Sequence, residues 1–193
     1  MRNKTKSGKI SFACDYMRGA HPNIIERLAE TNMLETAGYG LDPVCEAARE
    51  KIRTACFCEK AAVEFLVGGT QTNAVMIDAF LRSFEGVIAA ETGHISVHEA
   101  GAIEAAGHKV LALPHDLGKI SADSVRQFLE DYYNDANHDH MVKPGMVYIS
   151  HPTENGTIYS KSELQELYAT CKELGLPLFM DGARMGYGLM SEK

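Results

Sequence analysis

The sequence predicts an α/β fold built on a mostly parallel sheet flanked by helices. Short apolar runs at Val63–Val67, Val87–Ala90, Val110–Leu113, Met146–Ile149 and Leu178–Met180 are bounded by Gly, Pro or polar residues, the pattern of buried strands. Between them, Gln71–Arg82, Val97–Ala106, Ala122–Tyr133 and Ser162–Leu174 carry apolar residues at i, i+3 and i+4, the period of an amphipathic helix. Strand and helix alternate along the chain, and successive parallel strands need such crossovers.

Each element has a local reason. Ile10–Asp15 alternates weakly and reads as an extended arm; Ala20-His21-Pro22 ends it, and Asn23–Glu30 places Ile24, Leu28 and Ala29 at helical spacing. The glycines and Asp-Pro of Ala37–Pro43 make a loop. Asp42 as N-cap and Pro43 in the first turn then start a helix running to about Phe57. The polar Asn134–Lys143 stretch is a surface loop, and Leu176–Met180, broken only by Pro177, is a buried strand that stops at Asp181. The expected division is an amino-terminal arm, helix and loop over residues 1–43 and a large domain over 44–193.

Composition narrows the function. With 193 residues, 45% hydrophobic and 23% charged, the chain is long enough for one good-sized core. A formal charge of −7 without a basic block argues against a nucleic-acid partner, Lys4, Lys6 and Lys9 reading as a solvated start. No run is long and apolar enough to span a membrane, and the first residues have no secretory apolar core. The five cysteines are odd in number and scattered, which suits reduced thiols and a cytoplasmic location.

Three stretches carry chemistry, each just past a strand. Gly68-Gly69-Thr70 lies between a strand and a helix, where glycines admit an anion to free backbone N–H groups and the helix dipole; a phosphate is the natural guest. The Rossmann fingerprint is missing, because Asn73 stands where its third glycine belongs. His94, in the loop after Val87–Ala90, can stack on a planar ring or exchange protons near neutral pH. His94 and His98, four apart, would make at most two ligands of a metal site, so no metal is expected. Asp181 and Arg184 present an anion and a cation from one turn at a strand's carboxyl end, where α/β folds bind ligands.

Together these suit a phosphorylated aromatic cofactor, and pyridoxal 5'-phosphate fits best. Its phosphate would take Gly69 and Thr70, its ring would lie by His94, and its pyridine nitrogen would face Asp181, whose charge keeps that nitrogen protonated. Arg184 would hold a substrate carboxylate in a two-bonded fork.

The chain resembles the threonine aldolase and aromatic amino acid β-eliminating lyase family of PLP enzymes, fold type I. The resemblance rests on four blocks in order: Tyr39-Gly40-x-Asp42, Gly69-Thr70-x-x-Asn73, His94 with Glu99-x-Gly101, and Asp181-Gly182-Ala183-Arg184. It implies a PLP-dependent lyase cleaving a β-hydroxy-α-amino acid, such as threonine to glycine and acetaldehyde. It also implies a small amino-acid substrate and a homodimer or homotetramer, with the arm and Tyr39 loop at subunit interfaces. His94 is expected to stack on the cofactor, Asp181 to pair with the ring nitrogen, and Arg184 to contact the substrate carboxylate.

Two positions depart from the family pattern. Where relatives carry Glu-Asn-Thr-His, this chain has His151-Pro152-Thr153-Glu154, so Glu154 or His151 is expected on the substrate side, or the reaction is β-elimination instead. The family's Asp-Thr/Ser is Asp15-Tyr16 here. The family's Schiff-base lysine lies well beyond the Asp-Gly-Ala-Arg block, whereas the sequence ends at Lys193, which falls too early. The resemblance therefore implies an amino-terminal fragment, incomplete at the carboxyl end and without a small domain. Such a fragment is expected to be inactive alone, or to serve as a scaffold needing a second polypeptide.

Overall fold

A computed structural model describes residues 14–191. Lys193 and most of the Ile10–Asp15 alternation lie outside the described residues. The chain divides into two compact units, one ending at Phe65 and one starting at Leu66.

In the first unit, α1 (Pro22–Thr31) and α2 (Pro43–Ala55) match the expected helices. The Asp42 carboxylate accepts from the Val44 and Cys45 N–H groups; hydrogen bonding from the Cys45 thiol, and then from the Cys45 N–H, holds its pKa below the usual value. The expected strand at Val63–Val67 does not form. Arg49 and Arg53 of α2 reach across and donate to the Val63 and Ala61 carbonyls, each at 3.0 Å, taking up acceptors a neighbouring strand would use. The Arg49 guanidinium also lies 5.6 Å from the centre of the Phe65 ring.

The second unit holds the sheet. It has four parallel strands, β1 (Glu85–Ala90), β2 (Val110–Leu113), β3 (Lys143–Ser150) and β4 (Leu178–Asp181), in the order β2-β1-β3-β4. The helices of this unit are α3 (Gly69–Phe80), α4 (His94–Val97), α5 (Ala102–Ala105), α6 (Ala122–Asn134), α7 (Lys161–Glu173) and α8 (Met185–Met190). The 134–143 stretch, expected as loop, contains one 3-10 turn at His138–His140.

Alternation along the strands separates two cores. On the back face, Ile88, Ala90, Val147 and Ile149 pack with Val125 and Leu129 of α6 and Leu167 of α7. On the front face, Val87, Ala89, Met146 and Tyr148 pack with Ile77 of α3, Ile95 of α4 and Ile103 of α5. Full burial of such side chains stabilises by roughly 1.5–3 kcal/mol each. β4 is half-buried along its whole length, less covered than its apolar sequence predicts, because among the described residues it has only β3 beside it.

Both long back-face helices begin with capping boxes, Ser121 with Ser124 and Ser160 with Glu163, which satisfy free N–H groups. Of the expected Val97–Ala106 helix only α5 forms, with α4 ending at Val97. Ala100 at φ 50° and Gly101 at φ 74° take left-handed conformations that break the helical ladder between the two pieces. The break leaves Glu99 buried at the bend.

The chain passes from β1 outward to β2 and then returns to the other side of β1 as β3. The loops after β1 and β3 thus leave in opposite directions, and a crevice opens at the carboxyl ends of these strands.

Candidate active site

Register decides which side chains reach that crevice. Ser150 pairs with Asp181 and Tyr148 with Phe179, so these four share the front face, while Val147, Ile149, Leu178 and Met180 point back. Asp181 closes β4 and caps its own turn: its Oδ1 accepts from the Ala183 N–H at 3.1 Å. Its Oδ2 accepts from Asn73 Nδ2 at 3.0 Å and from the Tyr148 hydroxyl at 2.8 Å. Three donors from three segments therefore fix one carboxylate.

Tyr148 is fully buried, and burial, with Asp181 beside it, holds its phenol well above the ordinary value. It stays protonated and donates. The Ser150 hydroxyl donates to Glu154 Oε1 at 2.6 Å. The Tyr148 and Ser150 oxygens are 3.4 Å apart, but each hydroxyl has its proton directed at a carboxylate. Asp181 and Glu154 are thus held by neighbouring hydroxyls on one strand face, without a continuous proton path between them.

Asn73 lies one turn into α3 and is almost fully buried. Besides Asp181, its Nδ2 donates to Glu99 Oε1 at 2.6 Å, and that same oxygen faces His94 Nδ1 at 2.7 Å. His94 starts α4 with its side chain 41% exposed, whereas the Glu99 side chain is 0% exposed. Glu99 Oε2 is buried without a hydrogen-bond partner among the described residues.

His94, Glu99 and Asp181 each offer an atom within 4.8 Å of the others, the spacing of a metal site. The Asn73 amide, however, donates to both carboxylates, so their nearest lone pairs are already engaged. His98 is not in this group; its ring stands 5.6 Å from that of His94 at 50°.

The remaining expected residues separate. Gly69 and Thr70 start α3 and are exposed, and a Cβ added at Gly68 or Gly69 would meet nothing within 4 Å. These glycines leave open space against a helix terminus without serving the packing of the protein. Glu154 is exposed beside Ser150. Arg184 precedes α8 and lines a cleft of about 680 Å³ together with Pro152, Thr157, Ile158, Tyr187 and Gly188.

His151 does not join the Asp181 carboxylate. Following Val147 and Ile149 in parity, its ring packs near the back-core Tyr159, whose N–H donates to His151 Nδ1 at 3.4 Å. Its backbone pairs with the acid's strand: the His151 N–H donates to the Asp181 carbonyl at 2.8 Å. Burial lowers the pKa of the ring.

A family model described as beta-eliminating lyase matches residues 12–186. The chain belongs to that family. It is 36% identical over 175 residues to the low specificity L-threonine aldolase of Pseudomonas aeruginosa and 34% identical over 175 residues to that of a Pseudomonas species. Each alignment covers 90% of this chain and 49% of the relative, so the chain spans about half the length of the curated relatives it matches. The structure matches a threonine aldolase from Leishmania major with a TM-score of 0.85 at 46% identity, covering 90% of this chain and 50% of that one. The fold-type expectation of a parallel sheet with helices on both faces holds.

Sequence reasoning gave Asn73 and Glu99 no role of their own beyond membership of motif blocks and missed Tyr148 and Ser150. A signal for Tyr148 was available. A tyrosine and a serine two apart in an otherwise apolar run place two hydroxyls on one face of a buried strand.

Proposed function

We propose that this beta-eliminating lyase family chain forms the ring-holding and substrate-facing part of a PLP-dependent carbon–carbon lyase acting on β-hydroxy-α-amino acids, with threonine cleaved to glycine and acetaldehyde. The observation that carries this is the Asp181 carboxylate, held rigid by Asn73, Tyr148 and the Ala183 N–H at the end of β4. Pyridoxal phosphate, when bound, supplies a protonated pyridine ring that takes up the electron pair of the broken bond.

The residues present fit that group. Open space at Gly68 and Gly69 leaves the α3 terminus accessible to a phosphate, with Thr70 beside it. Asp181 is preorganised to keep a proton on the ring nitrogen, because an adjacent negative charge favours the charged form of that nitrogen. His94 is exposed enough to stack on a ring, and Nε2 is its nitrogen away from Glu99. Arg184 binds the substrate carboxylate from the wall of the cleft after β4. Glu154, its carboxylate oriented by Ser150, takes the proton of the substrate β-hydroxyl.

In this reading the protein works in the cytoplasm as a homodimer or homotetramer. All five cysteines are free, and no helix among the described residues is long and apolar enough to cross a membrane. Met33, Tyr39 and Leu41 of the first unit are 87%, 101% and 77% exposed, which favours burial against another subunit.

The test is pyridoxal phosphate-dependent release of acetaldehyde and glycine from threonine by the protein that carries this chain. Ammonia and a keto acid instead would assign β-elimination, and no cofactor binding by the protein would overturn the reading.

A further inference from the structure

The hydrogen bonds among Asp181, Asn73, Glu99 and His94 tie the two ring-contacting groups to each other. We propose that Asn73 and Glu99 are positioning residues: the Asn73 amide bridges the Asp181 and Glu99 carboxylates, and Glu99 fixes His94 in the tautomer that carries its proton on Nδ1. The inference deepens the reading of Asp181 and His94 as ring-holding groups and rests on it for its functional meaning.

The chemistry follows from donor and acceptor counting. Asn73 Nδ2 lies 2.6 Å from Glu99 Oε1 and 3.0 Å from Asp181 Oδ2. An ionised carboxylate only accepts, so the amide must turn its nitrogen, not its oxygen, toward both, with one hydrogen for each. Glu99 Oε1, already accepting from Asn73, stands 2.7 Å from His94 Nδ1 and needs a hydrogen there as well. The imidazole must then carry a proton on Nδ1, and in its neutral form that leaves Nε2 with the lone pair.

Burial gives the arrangement its stiffness. The Glu99 side chain is fully enclosed, at the bend where Ala100 and Gly101 interrupt the helix, and water cannot take the place of its protein partners. Desolvating a carboxylate is costly, and its second oxygen is left without a partner among the described residues. Such a cost is typical of a group kept for the geometry it imposes on its neighbours. Through this bridge the plane of the His94 ring and the direction of the Asp181 carboxylate are set from one amide, so a planar ligand meets both in register.

The test is nitrogen NMR on the 193-residue chain, read without cofactor. With labelled histidine, the neutral wild-type His94 ring should show the Nδ1–H form. Glu99→Leu should move it to the Nε2–H form that free side chains favour, and Glu99→Gln, which keeps a carbonyl acceptor, should restore Nδ1–H. The two Asn73 side-chain amide protons should respond separately, one to Glu99→Leu and the other to Asp181→Ala. A wild-type His94 already in the Nε2–H form overturns the proposal whether or not any variant folds. Both Asn73 protons ignoring the two substitutions, in variants with intact backbone spectra, would overturn the bridge. Because no cofactor is present, these results stand apart from those of pyridoxal phosphate binding, which tests the functional reading itself.

Discussion

The two faces of one sheet use the same strands for opposite purposes. On the back, Val147, Ile149, Leu178 and Met180 join α6 and α7 in a core that is apolar where β3 and β4 line it. On the front, the intervening residues Tyr148, Ser150 and Asp181 bring oxygens to the strand ends, where α3 and the α4–α5 bend supply Asn73, Glu99 and His94. A period of two thus divides stability from chemistry within four residues of β3. Back-face truncations should therefore cost folding free energy and leave the site's internal geometry alone, while changes to the polar groups at the front-face strand ends should act mainly on that geometry.

The largest effect is expected behind the sheet. Leu167 is 1% exposed in the middle of α7, and Leu167→Ala should lower stability by about 2–5 kcal/mol through lost burial and a cavity. Urea unfolding measures that loss, and an unchanged His94 tautomer under native conditions would show that the front face does not feel it. A tautomer change in the folded variant would break the separation of the faces.

Asp181→Ala comes next and belongs to the front. It removes the group proposed to hold a proton on the ring nitrogen, and activity should fall by roughly 10²–10³-fold, the scale of losing one preorganised electrostatic contact. Stability should fall by only about 1–3 kcal/mol, the cost of leaving the Asn73 amide and Tyr148 hydroxyl without their acceptor. Steady-state rates set beside unfolding midpoints decide it; a stability loss large enough to account for the rate loss would make the acid structural. Tyr148→Phe is milder. Asp181 keeps two of its three donors, so stability should change by about 1 kcal/mol and cofactor affinity should weaken less than in Asp181→Ala, as a binding titration would show.

Much of this was legible in the sequence, and the failures have identifiable causes. Apolar period located all four strands of the sheet and the long helices α3, α6 and α7, because burial on one or both faces leaves a composition signature. It failed at Val63–Val67, where Arg49 takes the first carbonyl of the apolar run and Arg53 takes that of Ala61 just before it, contacts no local pattern encodes. It failed again at Val97–Ala106, where helical spacing concealed the left-handed Ala100 and Gly101. Of the site, Asp181 and His94 were placed by their position past strand ends. The bridge between them joins residues 26 and 108 positions apart, and only the fold brings those together. His151 shows the remaining gap: its parity with Val147 and Ile149 already pointed to the back face, while its place in a motif pointed to the substrate.

That histidine supplies the smallest expected effect and a last check on the comparison. Burial lowers the pKa of His151 in the folded chain, so on acidification the unfolded chain binds the proton first. Its contribution to stability is therefore present above the ordinary histidine value of about 6.5 and is lost as pH falls below it toward the folded value. His151→Asn keeps an oxygen to accept the Tyr159 N–H and removes the titration. Unfolding midpoints followed downward from pH ~7.5 should decline more for the wild type than for the variant. If the two curves ran parallel, the ring would be titrating as an exposed group does, and His151 would have to be returned from the back core to the substrate side of the sheet.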